Sequence, residues 1–541
     1  MKKIQTPIFR IVLLMFVCLI GGMPVLGGVT YYVAKNGDDG NPCTAVDAPC
    51  ATIQQAASLA LNPGDIVQVG EGVYRERLRI QRGGSEEEPL VFRGHSGEGC
   101  PVETIEGDPN SRGKRPTPVV EMDGFRIEAS HVRFECFRVV GTDLPTAELN
   151  SGFAVRRGVR NVVIEDNVVD GKERPGRPWA AVSLQSSVPL ESMASHVRVS
   201  RNYIRQTGFG FMIFCKEQCL FEDNEVERTT ADANVGDSDY SRVFGEYVTL
   251  RGNYFHGNRA ADCPRCHFDC FQTYNTGIGA VDHLARHILI EGNTCMEAHQ
   301  GIIARDGTAK TEKFGTFETH TDWVVRNNIF AFGPVGGSRM SMSWCAMFEH
   351  IGDVVFEHNL CYQTGVTGYL NATTGIHQYN IHYESGFLPY TAVLSGYLNG
   401  RVTGGGNLLF RGSRSYVAAQ WPSNEVLNVE PMFENAENRD FRLRGQSPAR
   451  NRAMGSLVER DRSGLRRPHD GVSEIGPYEY PGAEPPEKDP VAKRNYERSR
   501  QARLQVVRSL PLPVRGAAPV PTVRPAPSVD SWRRITPRKA Q

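Results

Sequence analysis

Between positions 261 and 274 the chain reads Ala-Asp-Cys-Pro-Arg-Cys-His-Phe-Asp-Cys-Phe-Gln-Thr-Tyr, a dense run of groups able to move a proton, hold an anion or bind a cation. His267 titrates near neutral pH, and Asp269, two residues on, could orient it or bind substrate or a metal. Gln272 and Tyr274 continue the run. A second reading has His267 and Asp269 bonding turn backbone and holding a corner. Cys263-Pro264-Arg265-Cys266-His267 also satisfies Cys-x-x-Cys-His, the attachment pattern of haem c. With Cys270 the same residues could hold zinc, although their crowded spacing lacks a second ligand pair. A disulfide or buried free thiols is the simpler expectation, with haem c the lesser alternative. Upstream, Asp232, Asp237 and Asp239 could supply oxygen ligands to calcium (Ca2+), or form a solvated acidic loop. Downstream come His299, Arg305 and Asp306. No cofactor is demanded by these residues.

The elements that position such groups are repeats. Seven times between Ile164 and Leu360 the chain writes β-branched or apolar residues, one or two polar ones, an asparagine and a further apolar stretch. The copies read VVIEDNVV (Asn167), VRVSRNYI (Asn202), CLFEDNEV (Asn224), VTLRGNYF (Asn253), ILIEGNTC (Asn293), WVVRNNIF (Asn328) and VVFEHNLC (Asn359). The asparagines recur every 22 to 40 residues, the spacing of a solenoid or array. Apolar and polar residues alternate within each copy, so the repeating unit is a strand and the fold class all-β.

The remaining sequence bounds the setting. Formal net charge is zero, so overall charge favours neither a nucleic-acid nor a membrane partner. Lys2, Lys3 and Arg10 precede the apolar run 11–20, and Val25-Leu26-Gly27-Gly28 follows. That order predicts a signal peptide over 1–28 and a secreted, periplasmic or cell-surface protein. Twelve of the 13 cysteines lie beyond it, an even number for an oxidising compartment. Cys43 and Cys50 frame a short loop and are expected to be bonded. Cys215 and Cys219 are close enough to pair, though two cysteines on one extended strand would not reach each other easily. Thr52 caps a short amphipathic helix over 52–60, read as the lid on the first coil. From 481 to 541 the chain is rich in Pro, Ala and Arg without periodicity, which predicts a disordered tail.

Tyr32-Val33, Pro49-Cys50-Ala51-Thr52-Ile53-Gln54-Gln55-Ala56, Pro63-Gly64-Asp65 and Gly72-Val73-Tyr74 resemble the opening of secreted right-handed parallel β-helix proteins. That group includes pectate lyases, chondroitinase B-like lyases and alginate lyases. Asp440-Phe441-Arg442-Leu443, Ser447-Pro448-Ala449 and Glu474-Ile475-Gly476-Pro477-Tyr478-Glu479-Tyr480 resemble its closing segment. The resemblance covers about residues 30–480 and implies a single-stranded right-handed parallel β-helix domain over 29–480. It implies that each repeated asparagine stacks on the next at a coil corner, in a structural role. Because the fold hosts many reactions, activity must come from the site.

Counting from each asparagine across the next corner predicts strands near 182–185, 211–214, 271–274 and 302–305. Their alternation turns Gln185, Gln272, Tyr274 and Arg305 outward on one sheet, a groove for an extended glycan or an ordinary wet face. His299 and Asp306 fall beside it. The expected function is an exported, monomeric carbohydrate-active enzyme that cleaves a uronic-acid-containing polysaccharide by β-elimination. His267, Asp269, Tyr274 and Arg305 are the candidate catalytic residues, and Gln272, Gln185, His299 and Asp306 would contact the substrate. A glycoside hydrolase using Asp269 and Asp306, a C5-epimerase, and a non-catalytic glycan-binding solenoid are the alternatives.

Overall fold

The computed structural model describes residues 28–97, 99–141, 151–171, 180–185, 190–230, 237–264, 266–275, 284–306, 320–335, 342–370, 373–385, 400–411, 423–469 and 471–481. The expected signal peptide and tail lie outside these, apart from Gly28 and Pro481.

Each coil is built around a two-residue corner. Asp166, Arg201, Asp223, Gly252, Gly292, Asn327, His358, Tyr379 and Gly406 all take left-handed backbone, with φ between 53° and 68°. Each stands directly before a ladder asparagine, so the charged or polar residue of the repeated phrase is the one that turns the chain. Asp, Asn and Gly tolerate that region best. A strand precedes the corner and a short strand follows, as in Arg160–Glu165 and Val168–Asp170; a third, here Ala180–Leu184, completes the coil.

Strands pair in parallel with their counterparts one coil on. The inward column Ile164, Val199, Phe221, Leu250, Ile290, Val325 and Phe356 runs through seven coils in unbroken register. All seven side chains are fully buried, each stabilising the stack by about 1.5–3 kcal/mol. The right hand is the one parallel crossovers adopt.

At the corner the asparagines form a hydrogen-bonded ladder. In Asn224 the backbone N–H and Nδ2 both donate to Asn253 Oδ1, at 3.1 and 3.0 Å, while Nδ2 also reaches Val199 O at 2.9 Å. The pattern repeats from Asn167 and continues past Asn359 through Asn380 to Asn407. In these two further rungs the apolar lead-in is interrupted; one follows Ile376-His377-Gln378-Tyr379, the other Val402-Thr403 and three glycines. Glu425 closes the ladder, its two carboxylate oxygens taking the N–H and Nδ2 of Asn407.

Caps cover both ends. Thr52 accepts the N–H of Gln55 at 3.2 Å and starts the helix Ile53–Leu59, whose Ile53 and Ala56 are buried. Cys43 and Cys50 are joined. At the other end, Phe433, Phe441, Leu443, Ile475 and Tyr478 fold back over Leu360, Tyr362, Ile381 and Leu408, making a second core outside the solenoid. A fully buried ion pair, Arg467 with Glu479, pins that segment, and Arg467 also reaches Asn327 Oδ1 at 3.2 Å.

The described residues hold six disulfides. Cys215 and Cys219 are one of them, since the two do not lie on a single extended strand. The strand Phe209–Glu217 ends between them, Gln218 turns the chain at φ 56°, and the Cα atoms come within 6.2 Å. Cys263 pairs with Cys266, Cys270 with Cys295 across the core, Cys345 with Cys361, and Cys100 with Cys136. No helix of the described residues is long and apolar enough to cross a membrane.

Replacing Asn253 by alanine would strip Asn224 of its acceptor and Phe221 O of its donor in a fully buried place. Each orphaned group costs about 1–3 kcal/mol, so Asn253→Ala should lose at least about 3 kcal/mol in urea unfolding. An exposed control such as Arg75→Ala should stay near wild type. A loss for Asn253→Ala no larger than that control would show that the ladder does not hold the coils.

Candidate active site

Three consecutive outer strands, Ser241–Glu246, Asp269–Asn275 and Gln300–Asp306, carry the patch, together with the connections leading into the first two. Register places Arg242 beside Gln272, and Tyr274 beside Arg305. Phe244 lies one rung below Tyr274, the two rings meeting edge to face at 5.4 Å.

Beneath them the side chains close a ring. His267 Nε2 lies 2.9 Å from Asp237 Oδ1, and His267 Nδ1 lies 3.2 Å from Asp269 Oδ1. Gln272 Nε2 donates to Asp269 Oδ2 at 2.9 Å, and the backbone N–H of Asp269 donates to Asp239 Oδ1 at 3.1 Å. Arg242 completes the circuit, its Nε on Asp239 Oδ2 and its Nη2 on Asp237 Oδ2, both at 2.7 Å. Its Nη1 donates to the Tyr274 hydroxyl oxygen at 3.3 Å, and its guanidinium lies over the rings of Phe209 and Tyr274. All six oxygens of the three aspartates thus have a donor. Gln272 is buried, and its Oε1 meets no donor among the described residues, an unmet acceptor of the sort functional sites retain.

The charges follow from this geometry. With a carboxylate at each nitrogen, His267 donates twice and is held as imidazolium. The hydrogen bonds to Asp237 and Asp269 raise its pKa to about 10, against burial. Burial pushes Asp239 and Asp269 above the usual carboxylate range. Asp237 lies below it; burial opposes that shift, and the hydrogen bond from His267 and the neighbouring charges outweigh it. Three carboxylates therefore face two cations. The surplus falls on Asp239 and Asp269, both fully buried, where burial favours protonation of one of them.

This saturation bears on metals. Asp239, His267 and Asp269 bring ligand atoms within 4.8 Å of one another. As arranged, His267 has no lone pair to offer, and the carboxylate oxygens are already engaged by donors. Calcium, which takes 6–8 oxygens, would find here only carboxylates already paired with cations, two of them fully buried. Asp232, the third expected calcium ligand, lies outside the described residues. The expected acidic loop is instead half of an ion network. The Cys263–Cys266 disulfide uses the two thiols that haem c would need.

The other candidate residues are placed variously. Arg305 sets its Nε 2.6 Å from Glu349 Oε2 and keeps 41% of its side chain exposed. His299 lies against the loop carrying His267, its Nδ1 accepting the Phe268 N–H at 3.1 Å. Gln185 shares the outward column of Tyr274, but Phe214 and Phe244 occupy the two rungs between. At about 4.8 Å per coil, that sets Gln185 about 14 Å away. The side chain of Asp306 lies outside the described residues; its backbone pairs with Asn275.

Arg242 is the residue that sequence reasoning misses. Its strand follows the acidic stretch 237–239 so closely that the segment reads as loop. Counting one coil down from Gln272 would have placed it.

No family model matches the chain. It is 26% identical over 141 residues to the protein YwoF of Bacillus subtilis (strain 168), a match spanning 28% of that protein. Among solved structures it is similar to the complex of XylC with xylose, at 12% identity and a TM-score of 0.47, covering 83% of this chain and 98% of that one. It is similar to pectate lyase Pel9A at 11% identity and a TM-score of 0.40, covering 84% and 96%. A PL6 family polysaccharide lyase, Pedsa3628 from Pseudopedobacter saltans, aligns at 8% identity and a TM-score of 0.39, covering 79% and 98%. By its own strand register, the chain is a right-handed parallel β-helix protein.

Proposed function

We propose that the chain is an exported carbohydrate-active enzyme that cleaves an extended uronic-acid-containing polysaccharide by β-elimination. One observation carries the reading: among the described side chains of the patch, the groups open to a substrate include an imidazole ring, a phenol group and a guanidinium, while the carboxylates of the ring are engaged. Glycoside hydrolysis needs two carboxyl groups at the sugar, about 5–5.5 or 6.5–9.5 Å apart. Asp239 and Asp269 have no exposed surface, and Asp237 is tied to His267 and Arg242. The six disulfides favour an oxidising compartment, and so export to the periplasm, cell surface or medium.

In this mechanism Arg305 binds the uronate carboxylate and offsets the charge that makes the C5 proton acidic. Tyr274, acting as the phenolate beside Arg242, takes that proton and becomes the phenol, the C5–H electrons form the C4–C5 double bond, and the C4–O bond breaks. His267, held as imidazolium, exchanges its Nε2–H bond to Asp237 for one to the leaving oxygen and gives that oxygen the proton. The fixed charge on His267 makes it the acid and leaves the base to Tyr274. Gln272, in the floor, positions Asp269. A C5-epimerase would use the same groups and return the proton to the opposite face.

Incubation with a panel of anionic glycans should release chain ends bearing the ultraviolet absorbance of a conjugated double bond. A chelator should leave the rate unchanged, because His267, held as a cation between two carboxylates, offers a metal no lone pair. Tyr274→Phe should lower kcat by about 10²–10⁴-fold. Reducing ends without absorbance would mean hydrolysis. Deuterium entering C5 without cleavage would mean epimerisation, and tight retention without reaction a binding module.

The charge on His267 has a separate consequence. Its folded pKa is raised from 6.5 to about 10, so its contribution to stability is complete below the lower value and is lost as pH rises through the upper one. Raised values on Asp239 and Asp269 act in the same direction. Tm should therefore fall between neutral pH and about 10, and His267→Gln should flatten that slope. Parallel slopes in wild type and variant would mean that His267 is not held as a cation.

A further inference from the structure

We propose that Gln300 and Trp344 form a second sugar-binding place on the same wall, where the indole takes the C–H face of a sugar ring remote from the bond that breaks. This rests on the polysaccharide reading, and on no particular reaction at the ring of aspartates.

Register places the pair. Asp269 pairs with Gln300, and Gln300 with Trp344, so the three stand in one column with Trp344 two coils, about 9.6 Å, from Asp269. The residue that follows each of the outer two fixes which way they point. Cys270 turns into the core to join Cys295, and Cys345 at the matching position turns in to join Cys361. Neighbouring side chains of a strand face opposite ways. Asp269 and Trp344 therefore both face outward, each with a disulfide behind it. The strand of Trp344 is tied to the coil before, Ser343 N–H donating to His299 O at 2.6 Å.

This stretch differs in chemistry from the ring. In the adjoining column Arg242 and Gln272 give way to Ile303 and Met347, so the wall passes from polar to apolar. Trp323, the other described tryptophan, is fully buried, and its Nε1 donates to Ala285 O at 3.0 Å. Trp344 is instead partly exposed, and neither its ring nor its Nε1 meets a hydrogen-bonding, aromatic or cationic partner among the described residues. The Gln300 amide is open in the same way. An indole, its N–H and a carboxamide thus stand open beside an apolar floor. A pyranose ring matches that set, with C–H groups on its face for the indole and hydroxyls at its edge for the two polar groups. A carboxylate finds no cation among these four residues, so the place binds the ring and leaves the charge to Arg305.

Position sets what it can do. Arg305 pairs with Glu349 on the strand of Trp344, so Trp344 lies two coils and five residues from Tyr274, about 19 Å between Cα atoms. The two cannot touch one sugar. His267 bonds Asp269 at the foot of the Trp344 column and so lies between them. The glycan crosses from Arg305 and Tyr274 past His267 to Trp344, which holds the fragment beyond the leaving oxygen. Such a contact is alike before and during reaction, so it strengthens binding without speeding the chemical step.

Steady-state kinetics of the full exported chain test this, using long and short chains of a glycan that it cleaves. On long chains Trp344→Ala should raise KM about tenfold, with kcat moving less than KM. Trp344→Phe, which keeps a ring, should stay within about threefold of wild type. On oligosaccharides too short to span from Tyr274 to Trp344 the rise should vanish. Gln300→Ala should give a smaller long-chain rise of about threefold, and it carries the test if Trp344→Ala melts early. For a glycan that is retained without cleavage, Kd takes the place of KM. A long-chain constant unchanged in the folded variants overturns the proposal, and so does an equal loss on short chains. Either result leaves the polysaccharide reading in place. Wild-type protein that neither cleaves nor retains any glycan of the panel ends that reading and takes this subsite with it.

Discussion

The structure depends on one hydrogen-bonded unit, an asparagine amide behind a left-handed residue. The left-handed residue turns the chain by itself, but it leaves buried backbone groups that need partners. The asparagine meets them: its oxygen receives two donors from the coil before, and its nitrogen satisfies a carbonyl there. All the amides point the same way, so the ladder has a sense, like the dipoles of a helix. Its donor end falls on Asn407, where Glu425 supplies both oxygens. Burial raises the pKa of Glu425 to about 8. A polar ladder with no closing acceptor would end in two unpaired buried donors, so this carboxyl belongs to the fold as much as any apolar residue in the core.

The ladder fixes register, and register decides what can become a site. A slip of one residue would turn every outward side chain inward. Because the corners prevent that, residues tens of positions apart, such as Arg242, Gln272 and Tyr274, stand on adjacent rungs of one wall. The ring then gathers residues from successive coils: Asp237, Asp239 and Arg242 from one, His267, Asp269 and Gln272 from the next. Burying three carboxylates is costly unless each is paired. Here the cost is met by two cations and a backbone N–H, and the remaining charge by a proton.

Much of this was legible in the sequence, for a physical reason. The period of the asparagine phrase and the alternation around it reflect burial at the corner and in the strands, and both recur in every coil. They locate Tyr274 and Arg305 on neighbouring rungs without reference to contacts. The ladder's last rungs, Asn380 and Asn407, escape the pattern because histidine, glutamine and glycine interrupt the apolar lead-in while the amide does the same work. The ring was harder to read. Its closure depends on where side chains of an irregular connection end, and no period encodes that. Asp237 and Asp239 look like a solvated or calcium-binding loop until Arg242 is seen between them. Gln185 shows the converse limit: alternation gives its face correctly but says nothing of the phenylalanines on the rungs between it and Tyr274.

The two imidazoles show how one wall separates charge states. His267 and His299 are the same residue type on successive coils, and an exposed histidine would titrate between their two states. One has carboxylates at both nitrogens and is held charged; the other has a backbone N–H at Nδ1, an aromatic face beneath it and a cation beside it, and is held neutral. Each reinforces the other, since the charge that Asp237 and Asp269 hold on His267 opposes protonation of His299. Pairs of titratable groups driven apart in this way hold two charge states at a single pH. Sequence shows two histidines 32 positions apart. The difference between them comes from what the neighbouring coils place against each ring, and so from the register that the asparagines impose.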